Sequence, residues 1–169
     1  MKAKTAPQVQ DVMIRHIQTV TSEMSMVDVM EFLDRHHLTN APVVEQGADG
    51  RKMLIGFISE GDCLAFLANE VFFGGPSPVQ TVRTMMKRHP ICVEPGTDLF
   101  SLASIFVSHQ HRHLPVVQDG QLLGVVDRRD VLKALEAYYR EAIHDRELRK
   151  FPPDLHEVLN LRCFVSQGR

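Results

Sequence analysis

The sequence predicts an α/β fold of the α+β type, in which two similar β-α-β-β-α halves pack together as one module. The first observation behind this prediction is an internal repeat: residues 12–44 align without a gap with residues 85–117. Self-similarity at a fixed spacing is the mark of repeated structural units. The second observation is that each half has apolar residues at helical spacing, followed by two apolar runs with an Asp-Gly turn signal between them.

Each half is predicted to begin with a short strand and a helix. The strands are expected near residues 19–20 and 92–93. Apolar residues at positions i, i+3, i+4 and i+7 then give each helix one face that can be buried. These residues are Met26, Val29, Met30 and Leu33 in the first half and Leu99, Leu102, Ala103 and Phe106 in the second.

A hairpin and a second helix complete each half. Pro-Val-Val at 42–44 and at 115–117 opens the hairpin, and Asp-Gly at 49–50 and 119–120 predicts its turn. The phrases "GFISEGD" (56–62) and "GVVDRRD" (124–130) follow, and each ends in an aspartate that opens a further helix. The hairpin of the first half is five residues longer than that of the second, because the alignment changes register between its strands.

The repeat divides the chain into four predicted segments. Residues 8–72 form the first repeat and residues 81–138 the second, with a linker at 73–80 in which "FGGPSP" breaks the helix. Residues 139–169 form a charged helical extension and a tail, in which 154–164 have a partial apolar face. Because a half of about 60 residues buries too little surface to be stable alone, the two halves are expected to share a core.

The composition excludes several classes of function. A formal net charge of −2 gives no strong field toward nucleic acid or an anionic membrane, and no apolar run reaches the length of a bilayer span. The three cysteines are odd in number and widely spaced, which argues against a disulfide framework and for a reducing cytoplasm. A cytoplasmic protein is therefore expected.

Catalytic and metal-binding patterns are weak in this sequence. His109, His111 and His113 alternate, as metal ligands on an extended segment can, but no nearby cysteine and no acidic residue before Asp119 completes a site. There is no Gly-rich phosphate loop, no Cys-x-x-Cys pair and no nucleophile elbow. We therefore expect neither an enzyme nor a metal site.

The order of these elements, with "x-x-Pro-Val-Val" before the hairpin and "Gly-apolar-apolar-x-x-x-Asp" after it, resembles the cystathionine β-synthase (CBS) domain. Two copies in tandem resemble the CBS pair, or Bateman module, over roughly residues 8 to 138. The resemblance implies a disc-like module with clefts that bind AMP, ADP, ATP or S-adenosylmethionine as a regulatory ligand rather than a cofactor. It also implies a homodimer, and a regulated partner that the sequence does not identify.

The resemblance also implies two sets of site residues. Ser59 would face the phosphate and Asp62 the ribose of the first site. Gly56, in the same phrase, would allow the backbone to approach the ligand closely. The base of the first site would lie among Ile17, Thr19, Asn40 and Ala41. The second site would use Asp130 for the ribose and, for the base, Pro90, Ile91, Cys92, His113 and Leu114.

The second phrase departs from the family pattern, because Asp127 stands where the first has Ser59. A carboxylate repels a phosphate unless it is neutralised, and Arg128 and Arg129 follow at once to neutralise it or to bind the phosphate themselves. The second site is therefore expected to be empty, to take an uncharged adenosyl group, or to depend on arginine.

Two alternatives to nucleotide binding remain open at this level. Ser59, Asp62, Asp127 and Asp130 all suit the first turn of a helix, so helix capping alone explains them. The alternative function is a ligand-free dimeric scaffold that acts through its helices and its C-terminal tail.

Overall fold

The computed structural model describes residues 6–73, 80–109 and 111–149. Most of the predicted linker and the predicted short helix at 154–164 lie outside the described residues. The chain divides into two compact units, Met1–Leu132 and Lys133–Arg169. Within the described ranges, no helix is long and apolar enough to cross a membrane.

The elements follow each other in the predicted order, with three short additions. The first half consists of helix α1 (Val9–Val12), helix α2 (Met26–Arg35), strands β1 (Asn40–Gln46) and β2 (Lys52–Ser59), and helix α3 (Glu60–Phe73). The second half consists of helix α4 (Val82–Met85), strand β3 (Lys87–Arg88), helix α5 (Leu99–His109), strands β4 (His113–Gln118) and β5 (Gln121–Asp127), and helix α6 (Arg128–Arg149). The sequence did not predict α1, α4 or β3.

The two hairpins are built alike. Strands β1 and β2 pair antiparallel, as do β4 and β5, and the pairing shifts at Val43/Val44 and at Val116/Val117. The predicted turns are confirmed, since Gly50 and Gly120 both have φ 77°, a left-handed conformation that glycine adopts without strain. A single pair, Met53 with Gln121, joins the hairpins into one sheet in the order β1-β2-β5-β4.

The predicted short strands are reduced to single bridges. Val20 forms a parallel bridge with Val43, and Val93 forms the equivalent bridge with Val116. In the first half the Val20 N–H donates to the Pro42 carbonyl at 3.1 Å, and the Val20 carbonyl accepts from the Val44 N–H at 2.9 Å. Each short strand therefore adds two hydrogen bonds to the outer edge of its hairpin.

The beginning of each half packs on the other half. Strand β3 pairs with β2 of the first half, where Lys87 lies opposite Phe57. In the equivalent place Ile14 exchanges two backbone hydrogen bonds with Val125 of β5, at 2.8 and 3.0 Å. This exchange brings residues of both halves to each end of the sheet, and a repeat alignment does not reveal it.

The hydrophobic core shows the same exchange. The first half buries nine apolar residues in one cluster: Val20, Met26, Val29, Leu33, Ala41, Val43, Ile58, Cys63 and Val82. Each has a buried equivalent in the other half: Val93, Leu99, Leu102, Phe106, Leu114, Val116, Val126, Val131 and Val9. Val82 lies in the first cluster although it belongs to the second repeat. At about 1.5–3 kcal/mol for each fully buried aliphatic side chain, these clusters are the main stabilising contribution.

Candidate ligand-binding cleft

A cleft of about 430 Å³ lies beside the end of the first hairpin, where β2 leads into α3. Its volume falls within the usual range for small-molecule sites. The first half contributes Asn40, Phe57, Ser59 and Asp62, and the second half contributes residues from 87–91 and 111–115. The cleft takes a wall from each half because β3 crosses onto β2.

Residues that the sequence assigned to two separate sites line this one cleft. Asn40, Ser59 and Asp62 were expected in the first site, whereas Pro90, Ile91, His113 and Leu114 were expected in the second. The regrouping follows from the crossing of β3, because an alignment matches equivalent residues rather than residues in contact. The cleft thus combines a strand-to-helix corner of the first half with an apolar wall of the second.

The other predicted site residues lie outside the lining of this cleft. Ala41 is fully buried in the first core cluster, and Ile17 is half-buried on the segment that follows the Ile14–Val125 pairing. Cys92 is half-buried, its thiol donates to the Pro90 carbonyl at 3.2 Å, and burial raises the pKa of that thiol. Asp130 lies half-buried in the first turn of α6. Their roles toward a ligand stay predictions.

Thr19 lines a separate depression of about 310 Å³ with Lys52, whose ammonium donates to the Thr19 hydroxyl at 3.3 Å. Arg83 lies in this depression between Glu23 and Glu45, with nitrogen–oxygen distances of 2.9 and 2.8 Å. The hydrogen bond from Arg83 lowers the pKa of Glu23, and the same bond raises the pKa of Arg83. Because Arg83 is paired with two carboxylates, the depression should attract an anion less strongly than the cleft does.

Ser59 and Asp62 form a reciprocal cap at the start of α3. The Ser59 backbone N–H and hydroxyl both donate to Asp62 Oδ2, at 2.8 and 2.6 Å, and the Asp62 N–H donates to the Ser59 hydroxyl at 3.4 Å. This is the capping box that the helix-capping alternative requires. All of these bonds to the carboxylate go to Oδ2, which leaves Oδ1 able to accept from a ligand in the cleft. Capping and ligand binding are therefore compatible at this corner.

His113 occupies the point where the two halves meet at the cleft. Its Nδ1 lies 2.8 Å from the Asn40 amide nitrogen, and its Nε2 lies 2.8 Å from Asp127 Oδ2. Since an amide nitrogen only donates, Nδ1 accepts and the ring proton lies on Nε2, where it faces Asp127. Asn40 and His113 are equivalent residues of the repeat, so this contact joins the two halves across their approximate two-fold axis.

Asp127 differs from its equivalent, Ser59, in its partners. One carboxylate oxygen accepts from the Arg129 N–H at the start of α6, and the other accepts from His113. Among the described residues the side-chain partner of Asp127 is thus the His113 ring, not the side chains of Arg128 or Arg129. Arg128 contributes its N–H to the Arg112 carbonyl, at 2.9 Å.

Backbone strain occurs in the wall of the cleft at His89. This residue has φ 55°, in the left-handed region that costs a non-glycine residue about 1–2 kcal/mol. The equivalent residue of the first half, His16, is not in that region. Strained residues concentrate at functional sites, where the surrounding structure holds them in place.

The cationic side chains of this wall were not predicted from the sequence, and Gly56 was predicted to lie against a ligand. Lys87, Arg88, His111 and Arg112 all line the cleft, but their contact with the first half depends on the crossing of β3. A Cβ on Gly56 would lie 2.6 Å from the Met86 sulfur and 3.0 Å from the Lys87 carbonyl. The glycine therefore admits the crossing chain rather than a ligand, and it was the one sequence signal for that crossing.

Comparison with known proteins decides the family. The model of the CBS domain matches the chain twice, over residues 9–69 and 82–137. The chain belongs to the CBS domain family. Its two halves form a tandem CBS pair, and the mixed α/β fold with antiparallel hairpins agrees with this assignment.

Relatives of this CBS pair occur in bacteria, plants and archaea. The CBS domain-containing protein YhcV of Bacillus subtilis is 27% identical over 118 residues, which are 70% of this chain and 78% of YhcV. The structure of CBSX2 in complex with AMP is 28% identical, with a TM-score of 0.67, and the match covers 78% of this chain and 98% of CBSX2. CBSX2 is a CBS-pair protein from Arabidopsis thaliana.

A more distant structure shares the fold alone. The CBS domain pair of the protein MJ0100, solved with 5′-methylthioadenosine and S-adenosylmethionine, is 21% identical with a TM-score of 0.64. The match covers 79% of this chain and 99% of that structure. CBSX2 and the MJ0100 pair, which share one fold, were thus solved with adenosyl ligands of opposite charge, AMP and S-adenosylmethionine.

Proposed function

We propose that this CBS pair is a regulatory module that binds an adenosyl ligand in the cleft and modulates a partner protein. The observation that supports it most is the convergence of a capped carboxylate, an apolar wall and cationic side chains in one cleft. The similarity to CBSX2, whose structure contains AMP, supports the same ligand class. The module needs no catalytic group for this function.

The cleft residues suggest how the ligand lies. An adenine ring would pack against the apolar wall of Pro90, Ile91 and Leu114, since a flat aromatic base gains most from apolar surface. The ribose hydroxyls would donate to Asp62 Oδ1, the oxygen that the cap does not use. The group on the 5′ carbon of the ribose would then face the side of the cleft formed by residues 87–89 and 111–112.

Regulation would follow from the two-sided construction of the cleft. A ligand that contacts Asp62 of the first half and Leu114 of the second binds best to one arrangement of the halves. Ligand binding shifts a conformational equilibrium by the difference in affinity for its states. A partner that recognises one arrangement would thereby respond to the concentration of the ligand.

Helix α3 offers a surface for the homodimer that the family resemblance implies. Leu64, Leu67 and Val71 lie at positions i, i+3 and i+7 of α3 and are 66%, 41% and 82% exposed. Leu132, the equivalent of Leu64 on α6, is 65% exposed. We propose that a second copy covers these side chains, because such an apolar row on one helix face is typical of an interface.

The test is direct binding, with a control for helix capping. Titration calorimetry of the full chain with AMP, ADP, ATP and S-adenosylmethionine should detect at least one ligand, and Asp62→Asn should weaken its binding about tenfold. The control is Asp28→Asn, because Asp28 forms the same box with Ser25 at the start of α2, away from the cleft. It should lower the free energy of unfolding similarly and leave binding unchanged.

Two outcomes would reject the proposal. If none of the four ligands binds at millimolar concentration, the ligand-free dimeric scaffold becomes the better account, and the exposed row on α3 would be its main feature. If Asp28→Asn weakens binding as much as Asp62→Asn does, the carboxylate acts on the fold and not on the ligand. Mass spectrometry of a small molecule that copurifies with the protein would identify the natural ligand.

A further inference from the structure

We infer that the cleft selects adenosyl ligands that carry phosphate and discriminates against S-adenosylmethionine. This inference rests on the proposed function, because it assumes that an adenosyl group occupies the cleft. It goes beyond it by naming the side chains that decide between two ligand classes of opposite charge.

The charged residues of the cleft have a strong excess of one sign. Lys87, Arg88 and Arg112 line it, whereas Asp62 is the only carboxylate that the described residues contribute to its lining. The whole chain has a formal net charge of −2, so the cleft is opposite in sign to the protein around it. A local excess of positive charge attracts anions and repels cations in proportion to their charge.

These three cations are available to a ligand. Within the described residues none of them forms an ion pair with a carboxylate; Arg88 reaches only the Arg83 carbonyl, at 3.4 Å. By contrast, Arg51 lies outside the lining of the cleft and pairs with Asp49 at 3.0 Å. The arginines of the cleft thus keep the donors that bind phosphate oxygens.

Two of the three cations are specific to this cleft. By the offset of the repeat, Ile14 is equivalent to Lys87 and Thr39 is equivalent to Arg112. The fold accepts the uncharged residues at those equivalent positions: Ile14 makes the same crossing, onto β5, that Lys87 makes onto β2. Lys87→Ile and Arg112→Thr therefore remove the charges with substitutions that the chain already contains.

The ligand classes differ in the group that would face these cations. AMP, ADP and ATP present phosphates, and each added phosphate adds negative charge. S-adenosylmethionine presents a sulfonium and an ammonium against one carboxylate, which is a net positive charge. Both classes share the adenosine part, so the preference depends on the group that faces these cations.

The experiment is calorimetry of the full chain with adenosine, AMP, ADP and S-adenosylmethionine, without divalent cations and at two salt concentrations. We expect affinity to rise from adenosine to AMP to ADP, and S-adenosylmethionine to bind more weakly than AMP. The double variant Lys87→Ile/Arg112→Thr should lose about tenfold in ADP affinity and change adenosine affinity less than about twofold. Added salt should lower the affinity for ADP and leave the affinity for adenosine unchanged.

A matched control and two contrary outcomes complete the design. Arg51→Thr removes one positive charge at the far end of the first hairpin and should leave all four affinities unchanged. If S-adenosylmethionine binds as tightly as ADP, or if the double variant binds ADP like the wild type, the selectivity is overturned while the adenosyl site stands. If neither adenosine nor any of its derivatives binds, the proposed function itself fails, and the inference fails with it.

Discussion

Equivalent helices of the two halves begin with serine in the first half and with aspartate in the second. Ser25 precedes α2 and Ser59 precedes α3, whereas Asp98 precedes α5 and Asp127 precedes α6. Both residue types cap a helix, so the fold does not distinguish them. Only aspartate adds a charge, however, and each carboxylate has a further partner: the Ser101 hydroxyl for Asp98 and the His113 ring for Asp127.

The difference shows how a duplicated fold acquires unequal halves. At the corner of the first half, Ser59 keeps its bonds within the cap and the nearby cleft holds one carboxylate. At the corner of the second half, Asp127 uses its charge to hold His113, which faces the same cleft. The second corner thus positions a side chain in the wall of the cleft that lies beside the first corner. Substitutions that exchange features between the halves can break or sharpen this comparison.

The largest effect is expected where the crossing chains meet the hairpins. A Cβ on Gly124 would lie 2.9 Å from the Ile14 carbonyl, which is backbone and cannot turn aside. On Gly56 the closest atom is the sulfur of Met86, a flexible side chain, at 2.6 Å, and the backbone carbonyl of Lys87 lies slightly farther away than that of Ile14, at 3.0 Å. Gly124→Ala should therefore lower the free energy of unfolding by about 2–3 kcal/mol and Gly56→Ala by about 1–2 kcal/mol, measured by urea denaturation.

Gly96→Ala is the control for this pair, because nothing lies within 4 Å of its Cβ position. It should be neutral or stabilise the protein by about 0.5 kcal/mol, since alanine restricts the unfolded chain. Equal effects at Gly124 and Gly56 would show that the two crossings are alike, and a neutral Gly124→Ala would show that the first crossing is loose.

The contrast between local and crossing features explains how far the sequence could be interpreted. Apolar spacing, capping residues and turn signals act over a few residues, so helices α2 and α5 and both hairpins were predictable. The pairing of Lys87 with Phe57 depends on residues far apart, and no periodicity encodes it. For the same reason the two sets of site residues were each drawn from one half, although the cleft contains residues from both.

The chemistry of the corner was only partly predictable. Asp62 was singled out as either a cap or a ribose ligand, and the structure shows that one oxygen serves the cap while the other stays available. For Asp127 the sequence left two roles open for its neighbours Arg128 and Arg129, which were expected either to neutralise it or to bind the phosphate themselves. Its partner is His113, which lies directly across the β4–β5 ladder from it. Sequence neighbours on a helix point away from such a cross-strand pair.

Copying the second corner onto the first should have the next largest effect. Ser59→Asp places a second carboxylate near Asp62, where the Ser59 hydroxyl now lies 2.6 Å from Oδ2. The equivalent of His113 beside it is Asn40, whose amide nitrogen is already directed to Thr39 Oγ1 and His113 Nδ1. We expect a loss of about 1–2 kcal/mol in the free energy of unfolding, together with weaker binding of phosphate-bearing ligands. Higher stability than the wild type would contradict this account.

The reverse exchange should cost less. Asp127→Ser keeps a residue that can cap α6 and removes only the hydrogen bond from His113 Nε2, whose side chain is 24% exposed. A loss of about 0.5–1 kcal/mol is expected, against about 1–2 kcal/mol for Asp127→Ala, which removes the cap as well. Urea denaturation of both variants measures the difference. If the two variants are equally stable, capping by residue 127 contributes nothing.

The smallest effect is expected in acid, and it separates the serine cap of α2 from the aspartate cap of α5. The bond from the Ser101 hydroxyl lowers the pKa of Asp98, so the folded state holds the ionised form. A lowered pKa gives stability that is present above the unfolded value and is lost as the pH falls through the folded one. Asp98→Ser should therefore lose less stability than the wild type between about pH 5 and pH 3, by a few tenths of a kcal/mol at this half-buried site. Acid unfolding of both proteins measures the difference. If the wild type and Asp98→Ser lose the same free energy of unfolding, Asp98 has no part in the pH dependence.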